Sequence, residues 1–173
     1  MNGGSDSLGK VELSRQVLFL DFDGVLHRLG AVRTRKGITS TSPSIRLFEF
    51  APILMDCLAP YDRVEIILST SWVHHLGYQR AKNALPVALS ERVVGATFHS
   101  KYFDAGTWAS KPRGAQVLRY VQTHRLMRWL AIDDEILGFG DHVSHVVRCD
   151  EKLGLGDAKT QMVLCTRLAE QFG

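Results

Sequence analysis

The chain has 173 residues, 45% hydrophobic and 23% charged, with a formal net charge of +3. That size and balance suit one globular domain with its own core, and they exclude a disordered chain or a strongly basic nucleic-acid binder. Three cysteines, Cys57, Cys149 and Cys165, form no CxxC pair, which predicts small buried thiols in a reducing cytoplasm rather than a disulfide framework or a zinc site.

Residues 1–12, rich in Gly, Ser, Asn and Asp, read as a flexible tail, and 13–173 as one domain. The tail lacks a signal-peptide layout, and no segment is apolar enough to span a bilayer, so a cytoplasmic protein with no membrane partner is expected. Val17 to Leu20 is an apolar run typical of a strand buried on both faces of a parallel sheet. It ends on Asp21, and Asp23 follows two residues later. Side chains at i and i+2 share one side of an extended backbone, so both carboxylates address one site at the strand's carboxyl end. Gly24 lets the chain turn sharply there. Two like charges this close are costly unless a cation or a reaction needs them. A merely acidic turn explains neither the spacing nor the glycine.

Residues 27–42 are polar and turn-rich. From Val25 to Phe48 the chain carries Arg28, Arg33, Arg35, Lys36 and Arg46, plus His27, and no acidic residue. This is either a basic rim that attracts a polyanion or a solvated loop. Ser42-Pro43-Ser44 predicts the start of a helix to about Leu58, with Ile45, Phe48, Ile53 and Leu54 inward. Val64 to Leu68 reads as a second strand. Ser69 follows it directly and is preferred to Thr70 as a hydroxyl donor at the strand's end, although a Ser-Thr-Ser run also caps helices. A helix over about 72–84, a helical piece over 87–92, a strand over 93–99 and a loop over 102–110 come next. Lys111-Pro112-Arg113 opens a helix with Val117, Leu118 and Val121 on one face. Lys111 would offset the charge of clustered carboxylates, with Arg113 as the alternative.

Trp129 to Ile132 is again an apolar strand, ending on Asp133 and Asp134. Paired carboxylates at two strand ends suit Mg²⁺, a hard cation that takes oxygen ligands. A strand over 145–149 and a closing helix from Gly156-Asp157, with Met162, Leu164, Cys165 and Leu168 inward, complete the chain. His74, His75, His142 and His145 read as surface or capping residues, and Trp72 and Trp108 as packing rather than base-stacking platforms. Strands alternating with helices predict an α/β fold with a doubly wound, mainly parallel sheet.

Asp21-Phe22-Asp23-Gly24-Val25, the strand ending in Ser69, the cation at Lys111 or Arg113, and Asp133-Asp134 resemble the four motifs of the haloacid dehalogenase superfamily, in order. The resemblance implies a Rossmann-like three-layer αβα sandwich. It also implies a phosphatase in which Asp21 is the nucleophile, Asp23 the general acid/base, and Ser69 and Lys111 bind the phosphoryl group. Mg²⁺ would lie on Asp21, the Asp23 carbonyl and Asp133, with Asp134 as a water-mediated or alternate ligand. Too few residues follow Gly24, or separate Trp72 from Lys111, for a cap domain, so an open site is expected. More narrowly, residues 19–27, 68–72 and 129–134 look like the haloacid dehalogenase-like domains of bacterial multidomain RNA-repair proteins. That likeness implies terminal phosphates of RNA or DNA as substrate; the candidate substrate contacts are Thr70, Gly24 and Arg113 beside the motifs and Arg33, Arg35 and Lys36 of the basic rim. The alternatives are a phosphatase of small metabolites and a phosphate-binding module without turnover.

Overall fold

The structure, a computed structural model, describes residues 15–99 and 105–173. The tail assigned to residues 1–12 and part of the loop expected at 102–110 lie outside them. In chain order come β1 (Gln16–Leu20), a hairpin of β2 (Ala31–Thr34) and β3 (Gly37–Ser40), α1 (Ala51–Leu58), β4 (Val64–Leu68), α2 (Ser71–Leu76) and α3 (Tyr78–Ala84). Then follow α4 (Val87–Ser90), β5 (Val93–Ala96), α5 (Ala105–Ala109), α6 (Arg113–Thr123), β6 (Arg128–Asp133), β7 (Val146–Arg148) and α7 (Ala158–Phe172).

The apolar runs form a five-stranded sheet in the order β5-β4-β1-β6-β7, parallel throughout. This is the expected Rossmann-like α/β fold. Alternate residues feed two cores, as strand periodicity requires. Leu18, Leu20, Ile66, Leu68 and Leu130 pack with Leu54 and Leu58 of α1 and Leu164 and Leu168 of α7. On the other face Val17, Phe19, Ile67, Trp129 and Ala131 pack with Val117 of α6. From β1 the chain builds outward through β4 and β5, then crosses to β6 and β7. The order therefore reverses beside β1, and the crevice at the carboxyl ends there is where open sheets bind ligands. The ladders extend one residue past the strands. Asp21 N donates to Ile132 O at 3.2 Å, Ser69 N to Leu20 O at 2.9 Å and Cys149 N to Asp133 O at 2.9 Å. The ends of β1, β4 and β6 are thus held in step.

Several expectations are corrected. The helix expected from Ser44 begins only at Ala51, because Phe48 adopts a left-handed backbone (φ 58) that no right-handed helix accepts. Pro52 in the first turn marks the true start. The turn-rich stretch holds the β2–β3 hairpin, which lacks the apolar alternation of a half-buried strand. The helix expected over 72–84 breaks at Gly77, and part of the expected loop forms α5. Met162 is 72% exposed and Cys165 is also outside, because Leu164 and Leu168 set the inward face of α7. Of the thiols only Cys149 is buried; Cys57 Sγ lies 3.7 Å from Cys165 Sγ, and burial pushes Cys57 up to about 11. Among the described residues no helix is long and apolar enough to cross a membrane.

Candidate active site

Asp21 and Asp133 stand at the ends of the adjacent strands β1 and β6, and Asp134 follows. One carboxylate oxygen from each lies within 4.8 Å of the others. Asp21 and Asp133 are 4% and 1% exposed. Gly24 makes room for this cluster: its φ is +72°, and a Cβ there would lie 2.6 Å from Asp134 Oδ2. Gly24→Ala is therefore expected to push Asp134 aside and to destabilise the protein by about 1–3 kcal/mol in urea titrations. Calorimetric titration should show weaker binding of divalent cation to the same variant.

Arg113 opens α6 and reaches into the cluster. Its Nε is 3.3 Å from Asp133 Oδ2, its Nη2 3.8 Å from Asp21 Oδ1, and its Nη1 donates to Ser69 O at 2.5 Å. Close packing fixes this helix end. Gly114 N donates to Leu137 O at 2.9 Å, and a Cβ on Gly114 would lie 2.1 Å from Phe139 N. The structure thus brings Arg113, the alternative third-motif cation, against the carboxylates. Lys111 precedes Pro112 and is half-buried, its carbonyl accepting from Gln116 Nε2 at 3.0 Å.

Burial pushes Asp21 up to about 6, with Asp134 and Asp23 adding to the rise and Arg113 opposing it. Burial also holds Asp133 well above the usual carboxylate range, reinforced by Asp21, and raises Asp134. Burial works to lower Arg113, but Asp21, Asp133, Glu135 and Asp134 carry it upward. One guanidinium among three carboxylates leaves a buried negative surplus. An all-oxygen set of this kind fits a hard divalent cation such as Mg²⁺.

Ser69 is 1% exposed, and its Oγ has no hydrogen-bond partner among the described residues. An orphaned buried hydroxyl is costly, and an acceptor such as a phosphoryl oxygen would satisfy it. Thr70 Oγ1 instead accepts from Trp72 N at 3.3 Å and caps α2.

The Asp23 carboxylate is held by two side chains that sequence reasoning assigned elsewhere. His27, counted with the rim cations, is wholly buried and places Nε2 3.0 Å from Asp23 Oδ1. Trp72, read only as packing, donates Nε1–H to Asp23 Oδ2 at 2.9 Å. Their positions just after the first and second motifs are the signal that could have found them.

The rim is less cationic than its sequence. Arg28 pairs with Glu49 at 2.9 and 3.2 Å and also holds Ser44 O, so it braces the loop. Arg33, Arg35, Lys36 and Arg46 are exposed, with Arg35-Lys36 forming the hairpin turn. A cleft of about 780 Å³ opens beside Asp134, lined by Arg148, Lys152 and Lys159 together with Asp150 and Glu151.

A family model described as "HAD domain in Swiss Army Knife RNA repair proteins", HAD being haloacid dehalogenase, matches residues 17–160. No curated protein and no solved structure matches the chain.

Proposed function

The chain belongs to the haloacid dehalogenase domains of Swiss Army Knife RNA repair proteins, and from that premise we propose a Mg²⁺-dependent phosphomonoesterase acting on terminal phosphates of RNA. The observation that carries the reading is the Asp21–Asp133–Asp134 cluster, its first two members buried, with Arg113 and the unpartnered Ser69 hydroxyl at its edge.

Asp21 attacks phosphorus in line and forms an aspartyl-phosphate. Asp23 protonates the departing oxygen, then takes a proton from the water that releases phosphate. Arg113 and Ser69 Oγ bind the equatorial oxygens as charge builds on them. Asp21, Asp133 and the Asp23 carbonyl would hold Mg²⁺, with Asp134 as a direct or water-mediated ligand; the bound ion supplies Lewis-acid charge neutralisation. Three carboxylates facing one guanidinium leave no positive charge to spare for a phosphate dianion without such compensation.

Three features support a nucleic-acid end as substrate: the family, the short hairpin in place of a large insertion after Gly24, and the exposed cations Arg33, Arg35 and Lys36. The test compares kcat/KM on 3′- and 5′-phosphorylated oligonucleotides with sugar phosphates and mononucleotides across salt concentrations. Oligonucleotide hydrolysis is expected to fall steeply as salt rises, and neutralising Arg33, Arg35 and Lys36 together should flatten that slope. Hydrolysis of a small aryl phosphate should be unaffected by the triple substitution. Equal rates on metabolite and oligonucleotide, with no salt dependence, would favour a small-molecule phosphatase. A stoichiometric burst of phosphoenzyme without turnover would favour a binding module.

A further inference from the structure

Asp23 does not stand free in the site. Its two carboxylate oxygens each receive one donor, His27 Nε2 at 3.0 Å on Oδ1 and Trp72 Nε1 at 2.9 Å on Oδ2. The indole can only donate. The imidazole is constrained as well. Phe48 N–H points at His27 Nδ1 from 3.2 Å, and because a backbone N–H cannot accept, Nδ1 must be the acceptor. That puts the ring hydrogen on Nε2, facing Asp23.

Phe48 makes this contact from a left-handed backbone, φ 58, an uncommon conformation for a residue with a bulky side chain. The same residue closes an aromatic box. Its ring lies edge-on to His27 and Trp72, each at 5.3 Å, and to Phe22 at 5.2 Å. His27 is 0% exposed and Trp72 3%, so neither donor can swing away without emptying a packed core.

We infer that His27 and Trp72 are positioning residues, which lock the Asp23 carboxyl group in the orientation from which it meets the leaving-group oxygen, with Phe48 fixing the His27 tautomer. The inference rests on the phosphatase reading, in which Asp23 moves the proton. Neither residue touches substrate. Both act through Asp23, which is 22% exposed at its side chain and is the part of this network open to the site.

A displaced general acid costs most where the leaving oxygen most needs a proton. Alkyl esters need it, whereas a 4-nitrophenolate departs without much help. His27→Leu and Trp72→Phe each remove one donor while keeping bulk. Each is expected to lower kcat/KM on an alkyl phosphate by about 10–100-fold, and on 4-nitrophenyl phosphate by less than about 3-fold. His27→Gln, which returns an N–H near the Nε2 position, should recover much of the alkyl rate. Equal losses on both esters, or no loss on either, would overturn the inference.

A second readout needs no turnover. In ¹⁵N-resolved spectra, Asp23→Ala should move the Trp72 indole N–H signal, and the wild-type His27 ring should report the Nε2–H tautomer. An Nδ1–H tautomer, or an indole signal indifferent to Asp23, would overturn it too. Failure of the underlying reading looks different: Asp21→Asn would then hydrolyse both esters as fast as the wild type.

Discussion

Asp21→Asn is expected to abolish turnover and, at neutral pH, to make the metal-free protein more stable than the wild type. The first effect follows from its proposed role: an amide cannot serve as the attacking group, and loss of a covalent nucleophile costs on the order of 10⁴-fold or more. The second follows from where the carboxylate sits. Burial raises Asp21 from 3.8 to about 6. Below the lower value the group is protonated in both folded and unfolded chains and contributes no difference. Between the two values the folded chain keeps a proton that the unfolded chain releases, so stability falls as pH rises through that window. Above about 6 the whole penalty is present.

A neutral amide removes the penalty, stabilising the apoprotein by about 1–3 kcal/mol at pH 7. Differential scanning calorimetry should register this as a melting temperature about 2–12 °C higher, with the gap closing towards pH 4. Mg²⁺ should raise the wild-type melting temperature by mass action and raise that of the variant less. Full activity in Asp21→Asn, or in excess EDTA, would remove the mechanism. A variant that melts below the wild type at pH 7 would remove the buried-charge account while leaving the nucleophile assignment intact.

Those two effects, opposite in sign for function and stability, were half visible in the sequence. Val17 to Leu20 ending on Asp21, and Trp129 to Ile132 ending on Asp133, are read from local pattern alone, since a strand buried on both faces needs only an unbroken apolar run. The sheet follows from how such strands alternate with helices. The network around Asp23 could not be read that way. His27 is polar and sits among arginines, yet it is wholly buried, because its ring is satisfied on one side by Asp23 and on the other by the Phe48 amide. Phe48 fitted a helical pattern with Ile45, and tertiary contacts overrode it. Arg28 clamps the same loop to Glu49 and Ser44. Helix propensity over a few residues is a weak preference against several such bonds. The choice between Lys111 and Arg113 was likewise undetermined, because both flank Pro112 at the start of a helix. What the fold adds is the reach of the Arg113 guanidinium to Asp21, Asp133 and the Ser69 carbonyl, which depends on how Gly114 presses against the Gly138–Phe139 backbone.

Arg113→Met is expected to be the most damaging cation substitution in the chain, and Lys111→Met a mild one. Arg113 joins three elements at once, by ion pairs to Asp21 and Asp133 and a hydrogen bond to the Ser69 carbonyl. Its removal leaves two buried carboxylates facing each other, and breaking a buried pair from one side costs about 3–5 kcal/mol. Acid should return part of that stability, because the raised Asp21 and Asp133 take up protons readily. Mg²⁺ should return part of it at neutral pH by replacing the lost positive charge. Activity should fall about 10²–10³-fold even with saturating Mg²⁺, as expected when one charged donor to the phosphoryl oxygens is lost. Arg113→Lys keeps the charge but not the planar fork that serves Asp21, Asp133 and Ser69 together, so it should fall between wild type and Arg113→Met in both stability and rate. Lys111→Met should change kcat by less than about 10-fold if Arg113 makes the phosphoryl contact in its place. The reverse ranking, with Lys111→Met inactive and Arg113→Met merely unstable, would move the phosphoryl contact to Lys111 and leave Arg113 as a brace between β1, β4 and β6.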